Sequence, residues 1–192
     1  MPRYVKLFEQ ALSPEFCRDL IEKFEADQQV RPDPQPHYST RSYLMLGESR
    51  SWMRTIQKVT ELAEPLIASF FQLPEPYQAT SDREWMNDGW VIARYRPGDA
   101  CAFHDDAQTP VAPSNGLRLA TLIFFLNTVE EGQGGELFFP CQDLKVQARE
   151  GRAVIFPAQV THPHEVLPTA QVRYVLQTWI VDPDMVVVIR ED

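Results

Sequence analysis

Apolar and polar positions change rhythm partway along the chain. Between residues 13 and 72 the apolar side chains recur every three or four positions, the spacing of one helical face. Phe16, Leu20, Ile21 and Phe24 form the first set, with Ser13 placed to cap it and Pro14 at the first helical position. This helix is expected to end near Gln28. Trp52, Ile56, Val59, Leu62, Ala63, Leu66, Ile67 and Phe70 predict a longer one, from Ser51 to about Gln72, kinked at Pro65. Between the two, the alternate prolines of Arg31-Pro-Asp-Pro-Gln-Pro36 remove amide donors and push their neighbours into extended conformations. A loop is predicted there, of the kind that serves as a lid or binding loop.

After Gly89 the pattern becomes short apolar or alternating runs. Trp90–Tyr95, Ala100–Asp106, Leu117–Leu126, Glu136–Phe139, Leu144–Ala148, Ala153–Phe156, Val172–Val181 and Met185–Ile189 read as strands. Turn residues separate them: Pro97-Gly98, Ser114-Asn115-Gly116, Gly132 to Gly135, and Glu150-Gly151. So many short strands at this spacing predict a mainly β sandwich or jelly roll with two supporting N-terminal helices. One domain is expected over residues 1–192, with 1–88 as helical support and substrate loop and 89–192 as the β-core.

Composition narrows the possible functions. Eighteen Lys and Arg against 27 Asp and Glu give a net charge of −9, which disfavours a broad phosphate-tracking surface and hence nucleic acid as a partner. No apolar run approaches the roughly 18 residues of a spanning helix, so no membrane partner is expected. Glu9 interrupts the place where a signal peptide would need an apolar core. Cys17, Cys101 and Cys141 are odd in number, widely spaced and unlike a zinc pattern. Together these features predict a cytoplasmic protein; its oligomeric state is left open.

The chemistry is concentrated at His104-Asp105-Asp106. In an extended segment His104 and Asp106 project to one face and Asp105 to the other. Further histidines arrive at Thr161-His162-Pro163-His164, near the start of another strand. Two histidines and one carboxylate on one side of a jelly roll match the facial triad of non-haem Fe(II) enzymes. On this ground the third ligand is either His162 or His164. A His-x-Asp alone is far more often a surface pair or an N-cap than a metal site; the ordered blocks around it carry more weight.

Those blocks are Tyr95-Arg-Pro-Gly98 before His104, then Arg118-Leu-Ala-Thr-Leu-Ile-Phe-Phe-Leu-Asn127, Gly134-Gly-Glu-Leu-Phe-Phe-Pro140, Gly151-Arg-Ala-Val-Ile-Phe156, His164-Glu-Val166, and Arg173-Tyr-Val-Leu-Gln-Thr-Trp179. In this order they resemble the 2-oxoglutarate- and Fe(II)-dependent dioxygenases of the prolyl 4-hydroxylase type. The resemblance is strong over residues 89–181 and looser over the two helices. It implies a double-stranded β-helix (jelly roll, cupin-like), iron bound by His104, Asp106 and the distal histidine, and a basic residue nine or ten positions later that holds the far carboxylate of 2-oxoglutarate. Arg173 lies nine positions after His164 and eleven after His162, which favours His164.

The resemblance further implies that Thr121 adds a hydroxyl to that carboxylate and that Tyr95 lies near the co-substrate. The expected cofactors are Fe(II), 2-oxoglutarate and O2, with ascorbate as an accessory reductant. The expected reaction is hydroxylation of an unactivated C–H bond, in a prolyl or other peptide residue or in a free amino acid or small metabolite. Arg41, Trp85 and Trp90 are candidates for contact with that substrate, and Glu84 with Asp88 suggests one carrying positive charge. A non-catalytic cupin-like metal-binding module is the alternative from another class.

Overall fold

The computed structural model of the protein describes residues 4–71, 86–107 and 117–182. Helix α1 (Pro14–Ala26) begins as its sequence dictates: Ser13 Oγ accepts from the Phe16 amide, satisfying one of the free N–H groups of the first turn. It ends at Asp27, one residue before the expected point, and Asp27 then accepts from Trp52 Nε1 at 2.8 Å, tying it to the second helix. Helix α2 (Met53–Phe70) starts slightly late because Arg50–Trp52 forms a single 3-10 turn, and it contains Pro65, which removes one helical hydrogen bond.

Twelve strands are described: β1 (Lys6–Phe8), β2 (Arg31–Pro32), β3 (Ser42–Met45), β4 (Met86–Asn87), β5 (Val91–Tyr95), β6 (Cys101–His104), β7 (Leu117–Phe125), β8 (Leu137–Phe139), β9 (Leu144–Val146), β10 (Ala153–Pro157), β11 (His164–Val166) and β12 (Arg173–Asp182). All pair antiparallel. The larger sheet runs β1-β10-β7-β12-β5-β3-β2, with β4 also on β12, and the smaller runs β6-β11-β8-β9. The jelly roll and its two helices are as expected. Strands β1 to β4 were not: each has only two to four residues, too few for alternation to stand out. The expected strand Met185–Ile189 lies outside the described residues.

Two apolar clusters lie on opposite faces of the larger sheet. On the outer face Leu122, Phe124, Ile155, Leu176 and Ile180 pack with Phe16, Leu20 and Phe24 of α1 and Val59 and Ala63 of α2. On the inner face Tyr95, Phe125, Phe156 and Val175 meet Leu137, Phe139 and Val166 of the smaller sheet. Period-two alternation thus hands successive residues of each central strand to different jobs. Among the described residues no helix is long and apolar enough to cross a membrane.

Candidate active site

Between the sheets is a cavity of about 390 Å³. Strand β6 ends at His104 and β11 begins at His164, and the two residues are paired in register, their rings 4.3 Å apart. Asp106, two residues beyond β6, is fixed by its amide, which donates to the Ala158 carbonyl at 3.0 Å. Its two carboxylate oxygens then lie 3.6 Å from His104 Nε2 and 3.6 Å from His164 Nε2. One ligand atom from each of the three residues falls within 4.8 Å of the others.

The backbone sets which ring nitrogens face inward. His104 Nδ1 is 2.7 Å from the Ala102 carbonyl and His164 Nδ1 is 3.1 Å from that of His162. A carbonyl only accepts, so both rings donate from Nδ1 and turn Nε2 toward Asp106, the arrangement of metal-bound histidines. Burial would raise the Asp106 carboxyl, but His104, His164 and the Thr121 hydroxyl hold it well below the usual carboxylate range. Burial would lower His104, yet Asp106 and Cys101 push it up to about 10, while burial lowers His164. The carboxylate therefore keeps a positive charge beside it; a divalent cation held by these residues would supply that charge and leave His104 Nε2 as a ligand.

His162 is also buried, but it does not line the cavity. Its Nδ1 lies 3.0 Å from Thr161 Oγ1 and its ring stands edge-on to Tyr4 and Phe139. Pro163 separates two histidines that face different surroundings.

At the other end of the cavity Arg173 is 1% exposed, its guanidinium 4.9 Å from the Tyr95 ring centroid and 5.3 Å from that of Phe125. Nε and Nη1 have no hydrogen-bond partner among the described residues, and burial lowers its pKa. An aromatic wall offsets only part of the cost of a buried cation, and an anion in the cavity would supply the rest. Gly135 makes the room: a Cβ there would lie 3.0 Å from Thr169 Oγ1 and 3.4 Å from Arg173 Cδ. Arg41 joins this end by donating to the Tyr95 hydroxyl at 3.3 Å, while its Nε pairs with Asp33 at 3.1 Å.

Some expectations need correction. Thr121 donates to Asp106 Oδ2 at 2.6 Å. It cannot share a carboxylate with Arg173, because its register partner on β12 is Trp179, six residues and about 20 Å along the strand from Arg173. Trp90 sits in the outer core, its Nε1 donating to Thr60 Oγ1, and is sealed from the cavity by the sheet. Asp88 is paired with Arg118 Nε at 3.0 Å, so its charge is not free to attract a cationic substrate. Trp85 and Glu84 lie outside the described residues.

Other cavity residues were not anticipated. A register shift at Ile180/Val181 accompanies the turning of Arg118 into the cavity, where its guanidinium lies 3.9 Å from the Trp179 ring centroid. Its signal was a lone cation at the start of an apolar strand. Gln177 shares the parity of Arg173, which was its signal, and Tyr38 stands edge-on to His104 at 5.0 Å.

Residues 90–181 match the family model described as the 2OG-Fe(II) oxygenase superfamily. Among solved structures, the chain is similar to a viral collagen prolyl hydroxylase from Paramecium bursaria Chlorella virus-1, in a 2OG complex (TM-score 0.70, 23% identity, covering 94% of this chain and 96% of that one). It is also similar to a Pseudomonas putida prolyl-4-hydroxylase (0.64, 19%, 93% of each chain). A third is a Trichoplax adhaerens prolyl hydroxylase in complex with a hypoxia inducible factor oxygen degradation domain peptide fragment (0.73, 16%, 94% and 84%). No curated protein matches the sequence.

A jelly roll with two histidines and one carboxylate gathered inside it defines a non-haem iron oxygenase fold and site. Residues 90–181, just under half of the chain, match the 2OG-Fe(II) oxygenase superfamily, the fold is shared with the prolyl hydroxylases above, and match and site together make this a 2-oxoglutarate-dependent dioxygenase with Fe(II) as cofactor and 2-oxoglutarate as co-substrate.

Proposed function

We propose that this dioxygenase hydroxylates an unactivated C–H bond of a prolyl residue in a peptide or protein. His104, Asp106 and His164 hold the iron, and Arg173 holds the far carboxylate of 2-oxoglutarate against Tyr95. The observation that carries the reading is that the three-ligand cluster and a buried guanidinium whose Nε and Nη1 have no partner among the described residues open onto one cavity. A guanidinium stays charged and presents a planar fork, so it suits a carboxylate anchored away from the metal. A peptide substrate is favoured because the similar solved structures are prolyl hydroxylases, one of them holding a peptide. The Asp33 to Arg41 segment forms one wall of the cavity and borders the path such a chain would take.

When bound, the iron supplies the chemistry that couples dioxygen to decarboxylation of the 2-oxo acid. The balance is 2-oxoglutarate, O2 and R–H giving succinate, CO2 and R–OH. The protein's part is to orient the C–H bond and exclude water. Asp106 keeps all three protein ligands in place, Thr121 holds that carboxylate, and Arg41 braces Tyr95. The whole chain acts as one domain, and the free cysteines suit a cytoplasmic location.

The test is anaerobic addition of Fe(II) and 2-oxoglutarate, followed by aerobic succinate release with prolyl peptides and with free amino acids. The expected result is a weak visible charge-transfer band that His164→Ala abolishes and His162→Ala retains, and release stimulated by a prolyl peptide. Stimulation by free amino acids alone would overturn the peptide reading. Retention of the band in His164→Ala and its loss in His162→Ala would overturn the ligand assignment.

A further inference from the structure

Two mostly buried polar side chains of β12, Gln177 and Trp179, line the cavity with no role assigned above, and Gln177 is the one that can both donate and accept. Gln177 is 6% exposed, lines the cavity, and has no hydrogen-bond partner among the described residues. Several other polar groups that line the cavity are engaged, Thr121 with Asp106, Arg118 with Asp88, Arg41 with Asp33 and Arg31 with Glu48, whereas Arg173 Nε and Nη1 and Trp179 Nε1 have no partner among the described residues. A carboxamide on the cavity wall with no side-chain partner among the described residues is left for whatever fills the cavity to complete.

The register locates that ligand. Trp179 pairs with Thr121, the residue that holds Asp106, and Gln177 pairs with Ile123 and Val91. Gln177 is therefore a diagonal neighbour of Thr121, a separation of about 7–8 Å in an antiparallel pair. Arg173 lies four residues the other way on the same face, about 13 Å along the strand. A molecule reaching from Arg173 to the metal ligands passes over Val175 and then Gln177 before it meets the metal.

We infer that Gln177 is a second positioning residue for the 2-oxo acid, its carboxamide N–H donating to the metal-proximal end of the co-substrate while Arg173 holds the far end. This rests on the assignment of Arg173 and the three metal ligands given above. It divides the co-substrate into two recognised parts. Arg173 reads the distal carboxylate, which only a dicarboxylate carries, and Gln177 reads the 2-oxo carboxylate common to every 2-oxo acid.

The experiment titrates 2-oxoglutarate and, separately, pyruvate into the Fe(II)-loaded enzyme without oxygen, reading the Kd and the position of the charge-transfer band. Gln177→Leu is expected to weaken both acids by a common factor, roughly ten- to hundredfold, and to shift the band. Arg173→Met is expected to weaken 2-oxoglutarate and leave pyruvate unchanged. Gln177→Glu, nearly the same shape but an anionic acceptor, is expected to bind more weakly than Gln177→Leu; its affinity matching wild type would mean that the carbonyl, not the N–H, is used. Circular dichroism establishes that each variant is folded, and the two Gln177 variants are read together. Unchanged Kd and band in both would overturn the inference while leaving the dioxygenase reading intact. Absence of any band in the wild type would overturn both.

Discussion

The two faces of the larger sheet are made from the same strands and treat polar groups in opposite ways. On β12, Leu176 and Ile180 enter the outer core, whereas Arg173, Val175, Gln177 and Trp179 line the cavity. Outward-facing polar groups are mostly matched: Thr178 Oγ1 donates to the Gly89 carbonyl, Trp90 Nε1 to Thr60, the Tyr174 hydroxyl to Glu25 and Arg94 Nη1 to Glu25, with Arg94 Nε the exception. On the inner face, Arg173 Nε and Nη1 and Trp179 Nε1 are buried without partners among the described residues. The outer face is largely finished by folding, and the inner one leaves more to be finished by ligands. Stability and chemistry are therefore separable by strand parity.

The largest expected effect that tests this separation is on the outer face. Leu176→Ala removes a fully buried side chain from between the sheet and α1 and should cost about 2–5 kcal/mol in urea unfolding. The Kd for 2-oxoglutarate of the folded protein should not change; a matching loss of affinity would break the separation. On the inner face the sign reverses. Arg173→Met removes an unpaired buried cation, so the ligand-free protein should gain on the order of 1 kcal/mol. The same change should abolish the rise in Tm that 2-oxoglutarate gives the wild type. A fall in ligand-free stability would mean that Arg173 has a structural partner after all. The smallest effect is expected at Thr121→Val, which keeps the branched shape but removes the hydrogen bond to Asp106. Metal affinity by competition with a chelator should drop about tenfold, with unfolding stability within about 1 kcal/mol.

Strand parity also explains what could be read in advance. The alternation in Val172–Val181 and the cap at Ser13-Pro14 are local signals, and both elements stand where the spacing placed them, within one or two residues. His104 and Asp106 were legible as a pair because two residues in an extended segment share a face; β6 itself ends at His104, and the Ala158 carbonyl holds Asp106 in position. Trp90 was misplaced although its signal was present: it has the parity of Ile92, which faces the helices, and not that of Val91, Ala93 and Tyr95. Thr121 was misread because its role depends on register between β7 and β12, and register is set by pairing across some fifty residues of sequence. The Asp33 to Arg41 ion pair was hidden for a similar reason, since it closes within a proline-rich loop with no period to follow.

The order of strands in the larger sheet has a consequence for how the chain assembles. Strand β12 is the last described in sequence, yet it lies between β7 and β5 and is bonded to both. During synthesis β10-β7 and β5-β3 can form only as separate ribbons, each with an open edge, until residues 173–182 leave the ribosome. Strand β1 likewise waits for β10, Lys6 pairing with Ile155. Such distant pairings make for slow folding and a period of exposed edges, the condition under which chaperones matter most. The strand that closes the sheet also carries Arg173 and Gln177, so a nascent chain gains its co-substrate groups in the same event that removes its most aggregation-prone edges.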